Sequence, residues 1–322
     1  MNAHVPSLIA TEDSLPATLR AALERAADLA RAEKAEATKR AYGSDFTIFR
    51  AWCADHGLCA LPAEPAAIAA FIAAEAARGI KCATLGRRVA GVRHAHKLAG
   101  LPSPTDDERV KAVMRGARRT LGVAPVKKSA ATADKVLAMV AGNGRGLAGK
   151  RDRALLLLGF ALAARRSELV ALDVADLEEC PEGLRVAIRR SKTDQEGAGA
   201  VVAVCRGSIA CPVAAMKEWL AAAGITEGPV FRRVGKGGRL LPGRLRAQSV
   251  ALIVKAAAAR LGLDPAAFSG HSLRAGFLTS AAARGASLFK MMDVSRHRSV
   301  DTLRGYVRDA DAFRDHAGAG LL

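Results

Sequence analysis

The chain has 322 residues, enough for about two domains that each bury a core, and 50% of them are hydrophobic while only 4% are aromatic. Lys and Arg number 49 against 31 Asp and Glu, a formal charge of +18 at pH 7, which favours a polyanionic partner, with nucleic acid first. Six cysteines without a C-x-x-C pair give neither a zinc site nor a disulfide framework, and no basic leader or long uncharged apolar run suggests a membrane segment, so a reduced cytoplasmic setting is expected.

Residues 1–13 are expected to be a flexible N-terminus, and residues 14–121 a helical domain. Leu15, Leu19, Leu23, Ala26 and Leu29 recur at helical spacing, as an amphipathic helix requires. A second helix is expected over Ala37–His56, where Tyr42, Phe46, Phe49 and Trp52 form an aromatic stripe. Spacings of three and four assign that stripe to packing rather than base stacking, and leave Tyr42 a poor nucleophile. Pro62 and Pro65 mark a loop before a third helix over Ala66–Ala77. The next, Ala83–Ala99, carries Arg87, Arg88, Arg93 and Lys97, and Arg115, Arg118 and Arg119 repeat the cationic pattern on the helix that follows. Such helices suit phosphate contacts, which supply affinity and register more than base choice. His94 and His96 fall on opposite helix sides and make a poor metal pair.

Residues 122–132, GVAPVKKSAAT, read as a linker whose Lys127 and Lys128 suit a path close to a phosphate backbone. Residues 133–322 form the second domain. An apolar helix over Ala154–Ala163 ends in a break that presents Arg165 and Arg166, with Glu168 completing R-x-x-E. Alternating residues from Asp176 to Ile188 predict a β-hairpin, and the polar loop containing Lys192 leads to a third strand over Ala200–Val204. Helices are expected at Val213–Ala223 and Ala247–Leu261. Neither glycine-rich segment, Gly142–Gly146 or Gly235–Gly238, is followed by Lys-Ser/Thr, and there is no H-E-x-x-H, so neither ATP nor a metal is indicated and no cofactor is expected.

The stretch from Phe268 to Arg308 holds His271 and Arg274 as H-x-x-R, then His297, then Tyr306 nine residues later. A hydroxyl nucleophile, a fixed cation and imidazoles are the groups needed to attack a phosphodiester without a metal. Taken alone, each piece is commonly structural; in this order, behind Arg165 and Lys192, they form a specific series.

That series resembles the tyrosine recombinases, also called the phage integrase family. The resemblance implies a mainly α fold with a small antiparallel sheet in an α+β catalytic domain, joined to a SAM-like helical core-binding domain so that the two clamp DNA. It implies catalysis by Arg165, Lys192, His271, Arg274, His297 and the nucleophile Tyr306, with Glu168 orienting its neighbours. Lys192 would be the general acid. Expected partners are double-stranded DNA, further copies in a tetramer on two DNA sites, and accessory DNA-bending proteins. The tail after Tyr306, with Phe313, Leu321 and Leu322, would pass into a neighbouring subunit. Members often have Gly before the last histidine, whereas this chain has Arg296. The alternatives are a catalytically silent DNA-binding protein of the same fold and a type IB topoisomerase that relaxes DNA without pairing sites.

Overall fold

A computed structural model of the chain describes residues 16–31, 33–124, 127–189, 191, 194 and 197–310. The chain divides into two compact units, at Val126 and Lys127.

Unit 1 is helical: α1 (Ala17–Arg31), α2 (Glu36–Asp55), α3 (Pro65–Ala77), α4 (Cys82–Leu98) and α5 (Glu108–Leu121). The aromatic stripe of α2 enters the core, where Phe49 meets Phe71 edge-on with ring centroids 5.2 Å apart and Trp52 meets the same ring at 5.5 Å. Gly91 lets α4 approach α2 closely, since a Cβ there would lie 3.1 Å from both the Asp45 Cβ and the Tyr42 carbonyl oxygen. His96 is buried as a structural hydrogen-bonding group: Ala63 N–H donates to its Nε2 at 2.9 Å, which puts the proton on Nδ1, 2.9 Å from the Val92 carbonyl. The periodic leucines of α1 do make a helix. Its stripe is covered only in part within the described residues, however: Leu23 and Ala26 are half-buried, while Leu19 is 41% and Leu29 75% exposed.

Unit 2 is built around α7 (Leu147–Ala161), whose run Ala154–Leu158 is buried because α6 (Ala133–Ala141), α9 (Pro212–Ala223) and α11 (Ser272–Ala283) pack on it. After α8 (Arg166–Ala171), the strands β1 (Leu177–Cys180), β2 (Gly183–Ile188) and β3 (Ala200–Cys205) form one antiparallel sheet in that order. Val186 and Val202 pair across it and face the core. The short hairpin β4 (Arg232–Val234) and β5 (Leu240–Arg244) was not expected from the sequence. Its turn places Gly237 and Gly238 at φ 81° and 80°, where side chains are disfavoured. Then come α10 (Ala247–Arg260), α11, α12 (Leu288–Ser295) and α13 (Val300–Ala310). Among the described residues no helix is long and apolar enough to cross a membrane, and no group of three or more His, Cys, Asp or Glu could hold a metal ion.

What fixes α11 is the extended segment just before α6. Ser129 and Ala131 donate to the carbonyls of Ala267 and Ser272 at 2.8 and 2.9 Å, and Ala133 N–H donates to Ser280 Oγ at 2.9 Å. Gly276 allows this approach, because a Cβ there would collide with the Ala131 carbonyl. Helix propensity favours alanine over glycine by about 1 kcal/mol, whereas forcing atoms into a closed contact costs about 1–3 kcal/mol or more. Gly276→Ala should therefore lower the thermal midpoint, while Gly43→Ala in α2, where a Cβ meets nothing within 4 Å, should raise it slightly. Calorimetry on both variants checks the pair, and a stabilised Gly276→Ala would contradict the proposed packing.

Candidate active site

The apolar run of α7 stops at a left-handed residue, Ala163 at φ 45°, and the chain turns back into α8 with Arg165 as its N-cap. Glu168, one turn into α8, accepts from the Arg165 backbone N–H through Oε2 at 2.9 Å and from Arg165 Nη1 through Oε1 at 2.6 Å. The short R-x-x-E spacing thus closes on itself. Arg166 is turned away, exposed and 3.3 Å from Gln248 Oε1 on α10, so the geometry separates the two adjacent arginines.

Arg274 lies in the first turn of α11 and is only 1% exposed. Its Nη1 donates to the Ala163 carbonyl at 2.7 Å, which the left-handed turn has aimed at it. Burial, then the neighbouring Arg165 cation, lowers its pKa to about 10, so it stays charged at neutral pH. His271 is the N-cap of the same helix. Desolvation first, then Arg274 and Arg165, hold its imidazole below the ordinary value.

His297 follows α12. Ser295 Oγ donates to the Met291 carbonyl at 2.5 Å and lies 2.7 Å from His297 Nδ1. The serine proton being committed, Nδ1–H donates to Oγ, while Arg274 Nη2 lies against the ring, 3.2 Å from Nδ1 and 3.1 Å from Nε2. Ser295 is thus a residue of the site with no spacing signal in the sequence. Tyr306, on α13, is half-buried against a small cluster containing Leu278, Met291 and Leu303, and is within electrostatic range of Arg274.

Arg165, His271, Arg274, His297 and Tyr306 are therefore brought to one place. Lys192 lies outside the described residues. Two residues on in the sequence, Asp194 accepts backbone N–H bonds from Gly197, Ala198 and Gly199 at 3.1, 3.0 and 2.8 Å, with Arg298 also within electrostatic range.

The basic residues of unit 1 divide by burial. Arg88 is turned into the bundle against Glu75, with its side chain 12% exposed, which corrects its expected place on a DNA-facing surface: desolvated and committed to a buried carboxylate, it is a structural cation. Arg87 pairs with Asp45 at 2.7 Å, Arg93 with Asp106, Lys97 with Glu33 at 3.8 Å and Arg115 with Glu108 at 2.5 Å, all with largely exposed heads. Arg118 and Arg119 are exposed at the end of α5. In unit 2, Lys127 is exposed, and Lys128 donates to the Ala266 carbonyl at 2.7 Å.

Burial first, then Arg274 and Arg165, depress His297 from 6.5 to about 4. An unfolded histidine binds its proton below about pH 6.5 and the folded one does not, so this contribution to stability is present above that pH and is lost as pH falls towards 4. On acidification the wild type should lose stability relative to His297→Asn, by up to about 1.4 kcal/mol per pH unit. Denaturant unfolding of both proteins across that window checks it; parallel curves would contradict the neutral histidine.

The phage integrase family model matches residues 131–312, a little over half of the chain. An integrase/recombinase xerD homolog of Selenomonas ruminantium is 38% identical over 290 residues, covering 88% of this chain and 85% of the relative. Recombinase cre of Escherichia phage P1 is 26% identical over 282 residues, covering 81% of each. Among solved structures, a lambda integrase dimer bound to a COC′ core site aligns with TM-score 0.60 at 18% identity over 92% of this chain and 78% of that one. XerH site-specific recombinase bound to palindromic difH substrate, in a post-cleavage complex, aligns with TM-score 0.54 at 16% identity over 79% and 73%. The likeness to these structures is one of fold, while the family model and the Selenomonas relative carry the assignment: the chain belongs to the phage integrase family, the tyrosine recombinases.

Proposed function

We propose that the protein cuts and rejoins DNA at specific sites through a covalent 3′-phosphotyrosyl intermediate. The observation that carries this is the convergence of Arg165, His271, Arg274 and His297 on one cationic centre within range of Tyr306.

Tyr306 Oη attacks the scissile phosphorus, forming an O–P bond as the bond to the 5′ oxygen breaks. His271, uncharged at neutral pH because its pKa is lowered, is suited to accept the phenolic proton. Lys192, by resemblance, returns a proton to the leaving oxygen. Arg165 and Arg274 hold the non-bridging oxygens as charge builds on them, a task for which the planar guanidinium fork is suited. His297 Nε2 becomes a donor once an anionic phosphate beside it favours its protonation. The ester energy is kept in the tyrosyl link, so attack by another strand's 5′-hydroxyl reverses the step without a nucleotide. Glu168 keeps Arg165 in place and takes no part in the chemistry.

The partner is double-stranded DNA, which the exposed cations of unit 1 would grip through its phosphates while both units close on it as a clamp. Strand exchange needs two sites, so the working form is a homotetramer, with accessory DNA-bending proteins where the sites must be brought together. The reaction belongs in the cytoplasm. Phe313, Leu321 and Leu322, which lie outside the described residues, would join neighbouring copies.

Incubated with nicked duplexes tiled across the DNA flanking its gene, the protein should form a covalent adduct visible on denaturing gels, and Tyr306→Phe should form none. Arg165→Ala and Arg274→Ala should each slow adduct formation by about 100- to 1,000-fold, the usual effect of losing a donor to a developing oxyanion. An adduct that survives Tyr306→Phe would assign the nucleophile elsewhere. Relaxation of a plasmid lacking any site would instead favour the topoisomerase reading. Truncation before Arg314 should weaken tetramer assembly on DNA in sedimentation; unaltered assembly would remove the tail from that role.

A further inference from the structure

Two non-glycine residues among those described have positive φ, Ala163 at 45° and Arg296 at 57°, and both border the same site. Left-handed backbone is disfavoured for side chains other than Gly, Asn and Asp, and persists only where the surroundings hold it. Ala163 has an evident use, since its carbonyl receives Arg274. Arg296 has one of equal weight. It ends α12 immediately before His297, and its side chain is 9% exposed, running back into the unit rather than towards solvent.

Three of its contacts fix it. Nη2 donates to Glu168 Oε2 at 2.6 Å, and Nη1 to the carbonyls of Val294 at 2.8 Å and Leu162 at 3.3 Å. One guanidinium therefore ties together the end of α7, the R-x-x-E turn and the turn that presents His297. Glu168 is shared: Oε1 faces Arg165 and Oε2 faces Arg296. Arg165 is consequently held through a single side-chain hydrogen bond, which leaves its remaining donors for a ligand. Were Arg296 absent, Oε2 would keep only the Arg165 backbone N–H, and the carboxylate could turn further onto the Arg165 side chain and draw that fork away from an incoming anion.

We propose that Arg296 is a positioning residue, which locks the turn carrying His297 to Glu168 and keeps Arg165 open towards the phosphate. The role rests on the strand-cutting function proposed above; the lock itself does not. It also distinguishes two expectations for the same substitution. If Arg296 merely ended α12, Arg296→Gly would relieve the backbone and leave the site intact, because glycine adopts φ near 60° at no steric cost. If Arg296 is the lock, glycine relieves the backbone and still loosens the site.

The test has two arms, both on the full chain. In amide hydrogen exchange without DNA, Arg296→Gly should speed exchange at residues 294–299 while α7 and α9 keep their protection, and Arg296→Lys, which keeps the charge but not the fork, should fall between. In covalent trapping on the nicked duplexes, Arg296→Gly should form adduct about 100-fold more slowly, as expected when reacting groups are slightly misplaced, with partial rescue by lysine. Unchanged exchange at 294–299 overturns the lock. Faster exchange with an unchanged adduct rate overturns the positioning role. If the wild type itself forms no adduct on any duplex, the strand-cutting reading fails, and the exchange arm decides the lock by itself.

Discussion

A buried carboxylate facing two guanidinium groups is the interaction on which the catalytic half of unit 2 depends. Burial alone would push the Glu168 pKa up, and Arg296 followed by Arg165 outweigh that, so the group stays ionised below its usual range. A carboxylate withdrawn from water is tolerable only when its lone pairs are met, and those of Glu168 are met by the Arg165 backbone, the Arg165 side chain and Arg296. The position of Arg165 follows from this, and so does the turn before His297. Removing the carboxylate would leave two cations facing each other across a partly desolvated space, which explains why an acidic residue belongs in a site built to hold an anion.

The site as a whole remains deficient in negative charge. Arg165, Arg274 and Arg296 face one carboxylate, and His271 and His297 stay neutral because desolvation and these same cations disfavour a further proton. Holding Arg274 at 1% exposure costs solvation that the Ala163 carbonyl and the neighbouring His297 ring only partly replace. On the proposed function, a phosphate oxygen would supply what is missing. The arrangement is therefore less comfortable empty than occupied, and its donors need little reorganisation when charge develops on the ligand.

Much of this was legible in the sequence, for reasons that differ by residue. The buried run before Arg165 announces a core helix by composition, and the hairpin over 177–188 by alternation. The order of H-x-x-R, His297 and Tyr306 survives as spacing because they stand at the start of α11, in the turn between α12 and α13, and on α13, three consecutive elements. What did not show is what depends on tertiary approach. The β4–β5 hairpin is short, basic and without a clear period. The Ser295 hydroxyl works through a carbonyl four residues back and a ring two residues on. Arg296 stood out only as a departure from the usual glycine, and its partner, Glu168, is 128 residues away. The α1 leucines carried a true helical period with only part of the burial that such a period usually reports.

The same distinction sorts the basic surface. A net charge of +18 suggests a nucleic-acid partner, yet it does not say which cations are available. Exposed pairs such as Arg93 with Asp106 contribute little to stability, about 0–1 kcal/mol, so exchanging the carboxylate for a phosphate is nearly free and releases counterions from DNA. Arg88 is different. Its carboxylate partners Glu75 and Asp45 are almost wholly buried and are met from outside by Arg78 and Arg87, so withdrawing the arginine would remove the inner half of a partly desolvated charge network. Exposure of both members of a pair, rather than basic character alone, decides which arginines of unit 1 are free to meet a phosphate backbone.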